Sequence, residues 1–390
     1  MGGFASMSDN VTHIPGARRR KLRHRLLIMA GVVLLVAALA ALYFFSDGPA
    51  GQPQEDAAIS VSGAVMESFS FDAHSSNEYA AFNGGLAVAS VSGLSVYAAD
   101  GAESCVLQTT MATPRVLSCG EAVMAYDVGG YNLMAVGKKG TELLNVTAAK
   151  PILDADLSPD GHACYSTSES GYKSILYVYN PRGAMIYRWL SSSQYLPICT
   201  VSPEGTYMAA VALGQANGIF ESSLVVFRTD SEEIYSTVTL GNELFYDLEF
   251  LEDGTLCAVG ESSSMWLRMD GTVLGKYSYG GAYLKDFDFG GSGFLTLSLN
   301  MYKAGNSCTV VTVSPSGEEL GSSSYTEEIL DSSAAGNYVA VLTANGLDLY
   351  KQDMTRTARL DATQSATAVV MRMDGTALLL SGGTGRKFIP

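Results

Sequence analysis

A turn glycine with a short apolar run on each side recurs eight times along the 390-residue chain, and this repetition constrains the fold more than any other feature. The turns are Gly85 in YAAFNGGLAVAS, Gly120 in RVLSCGEAVMAY, Gly161 in ADLSPDGHACYS, Gly205 in CTVSPEGTYMAAV, Gly254 in LEFLEDGTLCAVG, Gly293 in FDFGGSGFLTLSL, Gly336 in DSSAAGNYVAVLT and Gly375 in VVMRMDGTALLLS. Their successive spacings are 35, 41, 44, 49, 39, 43 and 39 residues. A unit of about 40 residues with strand-like alternation is the length of one four-stranded antiparallel sheet, the blade of a β-propeller.

A second turn follows each of the first seven, at Asp100-Gly101, Lys139-Gly140, Arg182-Gly183, Asp230-Ser231, Asp270-Gly271, Ser316-Gly317 and Asp353-Met354. Two strands fit before it and one after it. The composition agrees, since 41 Gly, 47% hydrophobic and only 16% charged residues suit short strands and tight turns better than solvent-facing helices. The eighth unit is short, because TALLLSGGTGRKFIP after Gly375 supplies a second and third strand but no fourth. An open ring would expose raw sheet edges. The segment GAVMESFSFDA, residues 63–73, is therefore expected to add the outermost strand of the last blade. The fold class is all-β, a β-propeller of eight blades, or of seven if the weak first unit is an appendage.

Charge divides the chain. Residues 1–45 carry Arg18, Arg19, Arg20, Lys21, Arg23 and Arg25 against Asp9 alone, while the remainder holds 18 Lys+Arg and 38 Asp+Glu, a net of 18 − 38 = −20. Such an acidic body repels nucleic acid. Directly after the basic cluster, Leu26 to Phe45 is a run of twenty uncharged residues. At 1.5 Å per residue it matches a hydrocarbon core of about 30 Å, and Tyr43, Phe44 and Phe45 suit an interfacial anchor rather than a signal-peptide cleavage site. We expect an uncleaved single-pass helix with the N-terminus cytoplasmic by the positive-inside rule; cleavage after the Ala-rich part is the alternative. The domains then read 1–25 basic tail, 26–45 transmembrane helix, 46–60 polar linker and 61–390 extracytoplasmic propeller. The basic cluster is also suited to anionic lipid head groups.

Six cysteines, at 105, 119, 164, 199, 257 and 308, show no Cys-x-x-Cys spacing and no neighbouring histidines, which argues against zinc. Cys164 and Cys257 fall at equivalent points of different units, too far apart to bond, so buried free thiols are expected.

Ser158-Pro159-Asp160-Gly161 and Ser202-Pro203-Glu204-Gly205 resemble the turn of TolB-like and WD40-like propeller repeats. The Gly-His and Trp-Asp dipeptides of true WD40 blades are absent, and with only Trp189 and Trp266 the periodic tryptophan docking of quinoprotein-type blades is missing. The whole plan, a basic tail, one membrane helix and a degenerate acidic propeller, looks like an uncharacterised family (a domain of unknown function) of membrane-anchored propeller proteins from Gram-positive anaerobic bacteria. That resemblance implies fold, topology and host and transfers no catalytic residues.

Candidate sites are few. Asp154, Asp156, Ser158 and Asp160 alternate, as do Asp286 and Asp288. A calcium loop needs its glycine at the sixth position, whereas Gly161 stands at the eighth and alternate strand residues share one face, so inner strands capped by turns are expected and no metal or cofactor. Only His74 and His162 lie beyond the apolar run, without a Gly-x-Ser-x-Gly elbow or a His-Glu-x-x-His motif, and His162 reads as a solvated loop residue. Tyrosines cluster around the third and sixth units. KYSYGGAY reads as a loop between blades, which makes Tyr277, Tyr279 and Tyr283 the candidate partner contacts. The expected function is non-catalytic recognition or scaffolding in the cell envelope, with a protein or glycan partner. The alternatives are a propeller-type hydrolase or lyase, metal-assisted or not, with its site in the central channel, and a ligand sensor acting through a membrane partner.

Overall fold

A computed structural model describes residues 64–363 and 365–390. The tail, the apolar run 26–45 and the linker lie outside the described residues, and so does the expectation of a membrane helix. No helix among the described residues is long and apolar enough to cross a membrane.

Eight four-stranded antiparallel sheets make up the fold. The first runs through Glu78–Phe82, Gly85–Ser90, Gly93–Tyr97 and Glu103–Gln108 in simple up-and-down order. The weak first unit is thus a full blade, and the count is eight. All eight turn glycines fall at the junction of the first and second strands, and all seven second turns fall between the third and fourth. The last blade takes Ala368–Met371, Ala377–Ser381 and Thr384–Ile389 from the C-terminus and Ala64–Ser70 from the start of the propeller, paired from Ala64 with Ile389 to Ser70 with Thr384. The ring closes as the short eighth unit requires.

The turns show why their residues return. At Ser158-Pro159-Asp160-Gly161, the Gly161 amide donates to the Ser158 carbonyl at 2.9 Å, the Ser158 amide donates to His162 O at 2.8 Å, and Gly161 sits at φ 84°. A glycine reaches that region without steric cost. In the second turns Asp100 and Asp270 each accept the backbone amide two residues on, holding the chain while the glycine makes the bend.

Each sheet is covered on both faces by its neighbours, so the middle strands read as continuous apolar runs. Ala122–Asp127 and Leu256–Gly260 are buried at every position. Outer strands such as Glu319–Tyr325 alternate instead. The core is accordingly a set of seams. One apolar cluster fills each junction between blades, for example Val211, Leu224 and Val226 of blade 4 against Leu248, Leu256 and Leu267 of blade 5. Phe71 belongs to the seam between blades 8 and 1, with Leu86, Tyr97, Val370 and Leu380.

Candidate functional site

At seven of the eight junctions the first strand of one blade touches the first strand of the next, so the first strands surround the axis. They begin on one face, here termed the upper face, where the turns between second and third strands also lie; the remaining turns, Ala64 and Ile389 lie on the lower face.

Around the axis the first strands place Glu78, Asp154, Asp156, Asp247, Glu249, Asp286, Asp288 and Asp331, with Arg115 and Lys285 as the cations. The inner edge of each sheet leaves amides without a strand partner, and an unpaired buried amide is costly. Side chains of one blade supply the acceptors for the next. Asp154 Oδ2 accepts the Cys199 amide at 2.9 Å, and Asp156 Oδ2 accepts the Val201 amide at 3.0 Å and the Thr200 hydroxyl at 2.7 Å. Thr200 Oγ1 in turn accepts the Phe250 amide of blade 5 at 3.1 Å. Further round, Asp288 accepts from Ala334, Asp331 from Val369, and Ser333 from Met371. The alternation at Asp154/Asp156 and Asp286/Asp288 is that of inner strands whose carboxylates bridge blades. Among the described residues no three His, Cys, Asp or Glu side chains converge as a metal site.

Burial dominates these carboxyls. It pushes Asp247 and Asp331 up to about 7 and Asp288 up to about 6. Asp154 is raised by burial first and then by the facing charge of Asp247. The folded chain therefore holds protons that the unfolded chain, with carboxyls near pKa 3.9, releases well below neutrality. Stability from these groups is complete below about pH 4 and is lost as pH rises through 7. The melting temperature is expected to fall by about 5 °C between pH 5 and pH 8. Asp247→Asn should flatten part of that fall, and a melting temperature that rises across the interval would contradict it. The surface carboxyls lowered by local hydrogen bonds, such as Asp270 and Asp353, titrate below this window.

The upper face carries the other distinctive chemistry. Seven tyrosines are more than a third exposed among the described residues, and six of them, Tyr131, Tyr172, Tyr195, Tyr246, Tyr283 and Tyr302, lie on this face; Tyr235 alone is on the lower side. Leu153, Leu244, Met301 and Leu330 add exposed apolar surface beside them. Blade 4 extends furthest, with strands Tyr207–Ala216 and Ile219–Arg228 of ten residues each. The flanking strands stop pairing at Leu213 and Ser222, so Gly214–Glu221 projects as a free hairpin arm. Asn217 at φ 52° and Gly218 at φ 79° turn it, and Ile219 (57% exposed) and Phe220 (39%) stand at its tip. At the channel mouth a cavity of about 300 Å³ is lined by Glu78, Arg115, Lys285, Asp286, Ser298, Leu330 and Asp331.

Of the three tyrosines expected to form a loop patch, Tyr277 and Tyr279 meet at the seam between blades 5 and 6 with ring centroids 6.4 Å apart, and only Tyr283 goes elsewhere. Tyr277 belongs to the outer strand Val273–Ser278 of blade 5 and donates to Glu319 of blade 6 at 3.1 Å. Tyr279 is buried in the seam between those blades, its hydroxyl 2.7 Å from Ser264 Oγ. Strand pairing runs further than the glycines suggest, since the Tyr279 amide still donates to Ser262 O. Only Tyr283, 48% exposed at the head of the first strand of blade 6, reaches the upper face. His162 is likewise only partly exposed. Its ring packs against Gly205, where a Cβ would stand 2.3 Å away, and its Nδ1 is buried without a partner. His74 makes only a local contact to Ser76 on the surface.

Comparison with known proteins follows this geometry. Residues 62–382 match the sequence family described as "Family of unknown function (DUF5711)". The chain belongs to DUF5711. None of the curated proteins matches this DUF5711 chain in sequence. Among solved structures it is similar to the C-terminal WD40 domain of Sif2, at 13% identity and a TM-score of 0.58, covering 84% of this chain and 98% of that one. BamB from Moraxella catarrhalis aligns at 15% identity and a TM-score of 0.54, over 83% and 99%. At such identities the likeness is one of fold.

Proposed function

We propose that this DUF5711 protein is a non-catalytic recognition module of the cell envelope, held at the membrane by residues 26–45 with its propeller outside the cell. It binds a protein or glycan partner through the upper face. The observation that carries this reading is the confinement of six of the seven exposed tyrosines, with the hairpin arm, to one face. Tyrosine gives rigid apolar contact area with a polar tip at low entropic cost. The first propeller strand begins at Ala64 on the lower side, so a tether joined there leaves the upper face free. Bridging of blades already engages Asp154, Asp156, Asp288 and Asp331, which favours recognition over channel chemistry.

In-cell crosslinking of the tagged full-length protein followed by mass spectrometry tests this reading. The combination Tyr195→Ala, Tyr246→Ala and Tyr283→Ala is expected to reduce capture of a specific partner at least about tenfold, since central aromatic contacts commonly dominate binding. Their exposure keeps the melting temperature within about 2 °C. Undiminished capture by this variant, or loss only on substituting Met185 and Ile186 of the lower face, would refute the assignment.

A further inference from the structure

The seam between blades 3 and 4 contains two free thiols, of which Cys199 also donates to the Asp154 carbonyl at 3.9 Å. Cys164 lies on the second strand of blade 3, Ala163–Glu169, and Cys199 on the first strand of blade 4, Tyr195–Val201. Their Sγ atoms are 3.7 Å apart and both side chains are buried, at 0% and 1% exposure. No other pair of the six cysteines is in contact among the described residues; Cys105 instead meets Gly140 O, and Cys119 accepts the Ala122 amide. Cys199 is also fixed across the seam through its own backbone, because its amide donates to Asp154 of blade 3. Two sulfurs at van der Waals contact need a further approach of about 1.7 Å to reach bonding distance, within the arc that rotation about one Cα–Cβ bond sweeps.

We propose that Cys164 and Cys199 are a disulfide-forming pair that joins blade 3 covalently to blade 4, with a donor disulfide as the oxidant. One cysteine thiolate attacks the donor to give a mixed disulfide and release one donor thiol. The second thiolate then attacks the protein sulfur of that mixed disulfide and releases the other. The two protein thiols lose two electrons and two protons, and the donor disulfide gains them as two thiols. Once the seam is packed, the sulfurs lie buried in an apolar cluster with Leu176, Leu196, Met208 and Phe227, beside Asp154. Burial also pushes the Cys164 thiol up to about 11 and the Cys199 thiol well above its ordinary value, so little thiolate exists in the finished fold. Formation accordingly belongs to the docking of blade 4 onto blade 3 during folding. The same walls then shield the bond from reductants.

The experiment refolds the full-length protein from denaturant in a mixture of oxidised and reduced glutathione, quenches it in acid, alkylates it and maps it by mass spectrometry. The expected product is a peptide pair linking Cys164 to Cys199, two hydrogens lighter than the reduced pair, with Cys105, Cys119, Cys257 and Cys308 alkylated. This form should melt about 5 °C above the same chain refolded in reduced glutathione alone, as closure of a loop of this length predicts. Both arms use the unsubstituted chain, so no variant has to fold. Alkylation of Cys164 and Cys199 as complete as that of Cys105 would overturn the pairing, and a linked form that melts no higher than the reduced one would overturn the stapling role.

Discussion

Replacing Ala64–Ser70 by a Gly/Ser stretch of equal length is expected to lower the melting temperature by more than about 10 °C, or to abolish cooperative unfolding. These seven residues are the fourth strand of blade 8, and their partner Thr384–Ile389 lies at the other end of the chain. No other pairing in the ring spans so much sequence. Without it Thr384–Ile389 becomes a bare edge, and the fully buried Phe388 loses the order of the strand that carries it. The seam with blade 1 is weakened as well, because Phe71 follows directly and its amide is bonded to Gly383 O at 2.8 Å. Thermal unfolding followed by circular dichroism reads the result. A melting temperature within about 2 °C of the parent would show that the ring closes without this strand.

That closure was legible in the sequence because it rests on counting. Six of the eight turn glycines, Gly161 among them, sit at positive φ, where backbone sterics favour glycine, so they mark the blades wherever the surrounding side chains drift, and a unit left one strand short demands a donor. Side-chain destinations are another matter. Tyr277, Tyr279 and Tyr283 lie within seven residues, yet the first two pack together at the seam between blades 5 and 6 while the third reaches the upper face. Local spacing does not encode which blade a ring meets. The six tyrosines of the upper face are scattered from Tyr131 to Tyr302 in sequence and become neighbours in kind only when the topology assigns each to the start of a first strand or to a turn between second and third strands. A signal was present in retrospect, since every one of them stands at or beside such a boundary. The alternating aspartates were visible too. Their acceptor role needed the next blade, whose edge amides lie about 40 residues onward.

Asp156 concentrates that role, and Asp156→Ala is expected to destabilise the propeller by about 3 kcal/mol, or about 6 °C in melting temperature. Its carboxylate is buried and accepts three protons at once, from the Leu157 amide, the Thr200 hydroxyl and the Val201 amide. Thr200 passes the connection on by accepting the Phe250 amide, so one side chain ties blades 3, 4 and 5. Alanine leaves an amide and a hydroxyl of blade 4 without protein acceptors, and each such orphan costs about 1–3 kcal/mol. Thr200→Val removes the same link from the other side. If the relay acts as a unit, the double variant should lose clearly less than the sum of the two single losses. Asp160→Ala, four residues on from Asp156 and exposed in the turn, serves as the comparison and should shift the melting temperature by less than about 1 °C. Equal losses at Asp156 and Asp160 would mean that the carboxylates of this segment stabilise the ring only through general charge, whereas loss confined to Asp156 identifies the inner-edge acceptors as what holds adjacent blades in register.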